Sequence, residues 1–343
     1  MTEQEVQILE AMLSRIEQCE ETNRFMIEAN KELVRGNQVL SESLDALRQE
    51  YECYTQNCIY EVLDPRTDIR EIFYPKICTI DETMERLLNG TSSLCRFGDG
   101  EFACISGNLR AGFTTKYYKE LADRLTEVLK SDDDDVMIAI ADNYGDLSRY
   151  SPQTRREIRN YMTDRIRSEH AKLLDADREY YNAYITRPFI FFHDDMDKIK
   201  QYIERFRQLW HNKKIVIIEG ENTGFGACND LLNNCTDIKR IIAPSVNAYS
   251  KYDRIFDAAC SQDKDSLYLT ALGPTATVLA YDLAKTGRRS VDIGHLDIEY
   301  EWLTRGEYRI RIPNKYVNEA AGGNEPEPIR DRLYREQIVA EIY

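Results

Sequence analysis

The first fifty residues carry one pattern of apolar positions and the rest of the chain another. Between residues 5 and 51 there is no proline and a single glycine, Gly36, and apolar residues recur in alternating steps of three and four. Leu9, Ile16, Asn23, Asn30, Asn37, Leu44 and Tyr51 form one column of a heptad; Met12, Cys19, Met26, Leu33, Leu40 and Leu47 form the other. Such a repeat keeps an apolar seam on one side of a helix, so residues 1–56 are expected to form a coiled-coil oligomerisation helix. Three successive asparagines in one column weaken the seam but pair across a parallel two-stranded one and fix its register. A homodimer is therefore expected; a long helix packed on its own domain is the alternative.

Beyond a junction placed near residues 52–66, where Pro65 disfavours helix at Asp64, short apolar runs alternate with amphipathic stretches. The pattern predicts helices over 80–88, 117–129, an arginine-rich 154–170, 227–233, 276–285 and 331–342. Strands are predicted at 93–97, 136–140, 214–218, 240–243, 267–272 and 289–293, with 188–192 a strand or a buried apolar turn. Strands alternating with helices point to an α/β domain over 57–343, whose ligands belong at the carboxyl ends of the strands.

Composition narrows the function. The formal net charge of −15 argues against nucleic acid or an anionic membrane surface as a partner. Nine cysteines without a Cys-x-x-Cys pair give neither a disulfide framework nor a structural zinc site. The acidic start Thr2-Glu3-Gln4-Glu5 is not a signal peptide, and no apolar run is long enough for a transmembrane segment. A cytoplasmic protein is the expectation.

Candidate chemistry concentrates at the ends of the predicted strands. In Arg96-Phe97-Gly98-Asp99-Gly100-Glu101, an extended backbone would aim Asp99 and Glu101 at one point, where two hard oxygen donors beside an arginine suit a divalent cation and a diphosphate. Gly-Asp-Gly is also ordinary turn chemistry, and these six residues alone do not separate the two readings. The run Asp132 to Asp135 lacks the glycine and distal glutamate of an EF-hand loop and reads as a solvated loop. Gly220, with the loop that follows it, and Gly273-Pro274-Thr275 each join a strand to a helix start, where backbone amides can hold phosphates. His295, Asp297, Glu299 and Glu301 share a face if extended; if helical, only Asp297 and Glu301 do. Either way two carboxylates meet, and like charges held close raise one pKa, as a general base requires. The bland reading is a solvated acidic rim anchored by Tyr300 and Trp302. The glycine-bearing tail after Asn318 is expected to cover the site.

The same residues resemble the GT-D-fold glycosyltransferases, a bacterial family whose Asp-x-Glu pair opens at Arg96–Glu101. Further matches follow in family order: Tyr184 with Arg187-Pro188, Glu219-Gly220-Glu221 with Asn229-Asp230, Ala271 to Thr277, Asp292 to Trp302, and Tyr316-Val317-Asn318-Glu319. The chain departs from the family where it lacks an arginine near Gly224 and a glycine near Cys228. The resemblance covers about residues 75–320 and implies a Rossmann-like α/β fold and transfer of a hexose. The implied donor is a UDP-sugar, glucose or galactose first, and the acceptor a glycan or glycoprotein. It further implies Mn²⁺ or Mg²⁺ at Asp99 and Glu101, and donor contacts from Arg96, Arg187, Gly220, Asn229, Asp230, Gly273, Pro274 and Thr275. The base would come from Asp297, Glu299, Glu301 or His295. Two other readings use the same residues: a metal-dependent phosphohydrolase or nucleotidyltransferase, and a non-catalytic nucleotide-binding scaffold.

The heptads generate a direct expectation. Light scattering of the full chain should return about twice the 40.0 kDa protomer mass, and a chain starting at residue 57 should return the protomer mass. A monomeric full-length protein would remove the coiled coil, and a trimer would overturn the pairing of the asparagines.

Overall fold

A computed structural model describes residues 2–61, 73–107, 118–193 and 195–343. The chain divides into two compact units, one ending at Ile59 and the other beginning at Tyr60. The first unit is almost wholly one helix, α1, which runs from Glu3 to Glu61 and so continues past the expected limit of 56. Every apolar member of its two heptad columns, with Cys19, is exposed in the single chain. Residues 62–66 of the expected junction and Tyr117, the expected start of a helix, lie outside the described residues. No helix among the described residues is long and apolar enough to cross a membrane.

The second unit is a three-layer α/β/α domain. Its strands are β1 (Lys76–Ile77), β2 (Ser93–Phe97), β3 (Val136–Ile140), β4 (Glu179–Asn182), β5 (Lys214–Gly220), β6 (Asp237–Ala243), β7 (Leu267–Ala271), β8 (Ser290–Asp292) and β9 (Ile338–Glu341). The helices are α2 (Ile80–Asn89), α3 (Asp99–Ile105), α4 (Tyr118–Leu129), α5 (Pro152–Tyr161), α6 (Asp164–Leu173), α7 (Pro188–Phe192), α8 (Met196–Arg207), α9 (Tyr252–Cys260), α10 (Pro274–Lys285), α11 (Leu296–Arg305) and α12 (Arg332–Glu336). The strands form one sheet in the order β1-β4-β3-β2-β8-β7-β5-β6-β9, and every pairing is parallel. Helices cover both faces, which is why the central strands are near-continuous apolar runs. Leu94, Ile215, Ile217, Leu267 and Leu269 join the core under α2, α8 and α11. Their neighbours Cys95 and Phe97 face α4 and α10, while Val216, Ile218 and Tyr268 face α9 and α10.

Four local expectations are corrected. The arginine-rich stretch is two helices, because Thr163 accepts the amide of Ile166 and starts a new one. Residues 188–192 are the short helix α7, begun by Pro188 at its first position. No helix forms over 227–233: Gly226 and Cys228 take φ of 66° and 60°, and Leu231 N donates to Asn229 Oδ1, so the segment closes into turns. The C-terminal helix stops at Glu336, and Ile338 to Glu341 instead extend the open edge of β6.

One buried histidine gives the domain a pH dependence. His170 on α6 is 3% exposed; its Nδ1 meets the Tyr144 hydroxyl at 2.6 Å, and its ring lies 4.0 Å from that of Phe102. Burial, with Arg167 nearby, lowers its pKa from 6.5 to about 4. The folded state therefore holds the neutral ring, and its contribution, present above pH 6.5, is lost as pH falls towards 4. Urea unfolding should lose roughly 2–3 kcal/mol more between pH 7 and pH 4.5 in the parent than in H170Q. Equal losses would show that His170 does not titrate in this way.

Candidate active site

The carboxyl edge of the sheet is organised where β2 meets β8. Only Leu94 and Val291 pair directly between these strands, and side chains complete the seam. Arg96, at the end of β2, donates from Nε to the Asp292 carbonyl at 2.8 Å and from Nη2 to Asp292 Oδ1 at 2.9 Å. Thr277 on α10 closes the group, its hydroxyl donating to the Arg96 carbonyl at 2.9 Å with Asp292 Oδ2 at 3.2 Å. Gly294 takes φ of 50°, and a Cβ there would overlap the Arg96 guanidinium. The glycine thus serves both an unusual backbone angle and a close approach.

Asp99 and Glu101 leave β2 on the first turn of α3, not on an extended segment. Two residues apart on a helix point to different sides, so the expected convergence of their carboxylates is corrected. Glu101 turns back to cap its own helix, with Oε2 accepting the Gly98 amide at 2.8 Å. Burial, then the neighbouring Asp292 carboxylate, raises its pKa to about 7. Asp99 is exposed. The beginning of α3 touches that of α10: a Cβ on Gly100 would lie 4.0 Å from Pro274 Cγ. Gly273 precedes Pro274 with φ of 55° and open space around its Cα, and Thr275 is buried. Gly220 ends β5 against Ser245, whose Cα would be 3.2 Å from an added Cβ.

The segment 295–301 is helical, with His295 at the N-terminal boundary of α11 and Gly306 in the left-handed conformation at its end. Asp297 and Glu301 share one face and are 2% and 5% exposed. Between them lies Lys315, itself fully buried, with Nζ 2.6 Å from Asp297 Oδ2 and 3.0 Å from Glu301 Oε1. Asn229 donates to both carboxylates at 2.8 Å, and Arg305 reaches Glu301 at 3.2 Å. Burial pushes Asp297 up against the pull of Lys315. For Glu301 burial is outweighed by Lys315 and Asn229, and its pKa falls. Asp230 accepts the Tyr300 hydroxyl. Asn229 and Asp230, expected to hold the donor, therefore fasten the 221–236 loop to α11.

Glu299 is on another side of α11 and fully buried, accepting the Phe189 amide at 2.9 Å and pairing with Arg187 Nε at 3.0 Å. Arg187 also reaches Glu319 Oε1 at 3.0 Å, and burial is overcome by these two carboxylates, which raise its pKa. Glu319 Oε2 and Asn318 Oδ1 lie 3.4 and 3.3 Å from His295 Nε2. Burial of Glu319 is outweighed by His295 and Arg187, which hold it well below the carboxylate range. The four proposed catalytic residues are thus split: three carboxylates are neutralised internally, while the His295 side chain is 33% exposed. The tail from Asn318 does not start as a loose flap, because Glu319 pairs with Arg187 and Ala320 is buried; the segment before it inserts Ile312, Lys315 and Val317 into the protein.

Several residues went unsuspected in the sequence. Lys315 sits beside Tyr316 with no periodicity to mark it. Asp142 and Asn143 follow β3 after Ala141, and polar residues just past a buried strand were a usable signal. Asp142 is held by Arg149 at 2.8 Å, and Asn143 accepts the Tyr184 hydroxyl at 2.6 Å. Among the described residues no three His, Cys, Asp or Glu side chains converge as a metal site.

The chain resembles known proteins across this region. The family described as Glycosyltransferase GT-D fold matches residues 94–320. A probable glycosyl transferase of Streptococcus gordonii is 36% identical over 270 residues, 78% of this chain and 39% of that protein. A glycosyltransferase of Streptococcus pneumoniae, GlyD, is 32% identical over 272 residues, 77% of this chain and 32% of that protein. The chain thus spans 32–39% of the length of these relatives. A solved structure described as a new glycosyltransferase from Streptococcus sanguinis has a TM-score of 0.73 and 33% identity, covering 79% of this chain and all of that one. Another, described as a domain of unknown function with a distinct glycosyltransferase fold, has a TM-score of 0.71 and 32% identity over 78% of this chain and 96% of that one.

The buried lysine yields a sharp test. K315M would leave Asp297 and Glu301 facing each other without their cation, which should cost about 3–5 kcal/mol. Adding D297N and E301Q to K315M should restore much of that loss. A K315M protein as stable as the parent in urea would contradict the ion network. On its sequence and fold, the chain belongs to the GT-D-fold glycosyltransferases.

Proposed function

We propose that the protein transfers a hexose from a UDP-sugar, glucose or galactose first, to a hydroxyl of a glycan or glycoprotein acceptor, and works as a homodimer joined through α1. The observation that carries the reading is the abutment of α3 and α10 at the carboxyl edge: exposed Asp99 stands beside the start of a twelve-residue helix, Pro274–Lys285. A helix start suits phosphate oxygens, and the open flank of Gly273 leaves room for a ligand against the main chain. Family membership supplies the sugar nucleotide as the phosphate ligand to consider.

Mn²⁺ or Mg²⁺ fits the donor set. Asp99 offers an exposed carboxylate, while Glu101 would have to turn from its cap on the Gly98 amide to reach the same ion; such ions use few carboxylates plus substrate phosphates. The ion would neutralise charge on the departing diphosphate. Arg96 is held by Asp292 and Arg187 by two glutamates, so both act first by positioning the edge and add positive potential to it.

Incubation with Mn²⁺ and UDP-glucose or UDP-galactose should release UDP and free sugar slowly, and faster with a suitable acceptor. D99N should melt within a few degrees of the parent, need far more Mn²⁺ and lose most of this activity; D99N with E101Q should cost much less than the sum of the singles. Undiminished activity of the parent in excess chelator would remove the metal. Release of inorganic phosphate without free or transferred sugar would favour a phosphohydrolase.

A further inference from the structure

Resting on that reading, we propose that His295 is the base that takes the acceptor's proton and that Glu319 is its positioning residue. Loss of the three α11 carboxylates as candidates is the starting point. A base must present a lone pair to substrate, and Asp297, Glu299 and Glu301 are between fully buried and 5% exposed, each facing a cation. His295 differs in every respect. It directly follows Gly294, which packs on the Arg96 guanidinium, so it stands at the β2–β8 seam that leads into Asp99.

The imidazole is held as a base should be. Its Nε2 faces two oxygens, Glu319 Oε2 and Asn318 Oδ1, neither of which can donate, so the ring proton sits on Nε2 and the Nδ1 lone pair is left for substrate. Glu319 is fixed by Arg187, which Glu299 holds from the other side. The chain of contacts Glu299–Arg187–Glu319–His295 ties α11, the turn before α7 and the C-terminal tail to one ring. A carboxylate 18% exposed and 3.4 Å from the ring nitrogen faces the imidazole from the side that the acid takes in hydrolytic triads.

In the step itself, the acceptor hydroxyl oxygen forms a bond to C1 of the sugar while the bond from C1 to the diphosphate oxygen breaks. The electron pair of that bond leaves with UDP. The hydroxyl proton passes to Nδ1 of His295, and the resulting imidazolium, stabilised by Glu319, returns it to water.

The test uses the full chain, Mn²⁺ and whichever of UDP-glucose and UDP-galactose the parent cleaves, with water as the acceptor. H295A should lower UDP release by about 10²-fold or more while UDP affinity measured by calorimetry stays within twofold. Added imidazole should restore part of the H295A rate and leave the parent unchanged. E319Q should lower kcat by about tenfold at an unchanged KM for the donor, and E319D should recover more of it than E319Q. H295N, closer in size and polarity, serves as the second variant if H295A melts early. Release by H295A or H295N within a few-fold of the parent would overturn the assignment, as would a matching loss of UDP affinity, which would make His295 a donor ligand. An E319Q protein as active as the parent would overturn the positioning role. If the parent releases UDP from neither sugar nucleotide, it is the proposed donor reading that fails, not the identity of the base.

Discussion

The ion pair between Arg96 and Asp292 is the constraint on which the carboxyl edge depends. Strands β2 and β8 come from chain segments almost two hundred residues apart, and their main chains pair at a single position, Leu94 with Val291. A parallel pair that short has little ladder of its own to hold it. The guanidinium bridges the gap, binding both the carbonyl and the carboxylate of Asp292, and Thr277 joins the same group from α10. Everything proposed for the site leaves from these ends: Asp99 from β2, His295 from β8, and the start of α10 beside them. Gly294 is required because the arginine occupies the space a side chain would need.

Around that seam the protein manages an excess of negative charge. It carries 60 acidic against 45 basic side chains, yet each carboxylate buried on α11 faces a cation brought from elsewhere in the chain. Lys315 serves Asp297 and Glu301, and Arg187 serves Glu299. Buried pairs of this kind add little net stability but are costly to break, so they fix which segments meet. Glu319 is the exception in placement, since it shares Arg187 with Glu299 and also faces a partly exposed histidine. The loop that follows β5 is pinned by the same means: Arg240, 1% exposed, joins Glu219 at 2.7 Å to the Phe225 carbonyl at 2.8 Å.

Where local pattern decides structure, the sequence was legible. The strand Val136–Ile140 is a continuous apolar run buried throughout, Ser93–Phe97 is buried but for Arg96, and both appear with the expected limits. The GT-D fold followed from motifs scattered over the chain, above all Asp292 to Trp302. What local pattern could not supply was the direction of side chains at the edge. Asp99 and Glu101 begin a helix in which Glu101 caps the Gly98 amide, a contact invisible in spacing alone. The partner of Asp297 and Glu301 came from Lys315, on a segment whose fold is set only by what it packs against. The turns over 227–233 likewise depend on Cys228 adopting a glycine-like angle.

The carboxyl edge therefore depends on the Arg96–Asp292 tie more than on any one proposed role. Unfolding in urea of R96M, D292N and the double variant measures it directly as a coupling energy. A structural tie predicts a coupling above about 1 kcal/mol, with the double variant losing much less than the sum of the singles. Additivity within about 0.3 kcal/mol would mean that the two side chains do not act together, and the seam at the carboxyl edge would need another explanation.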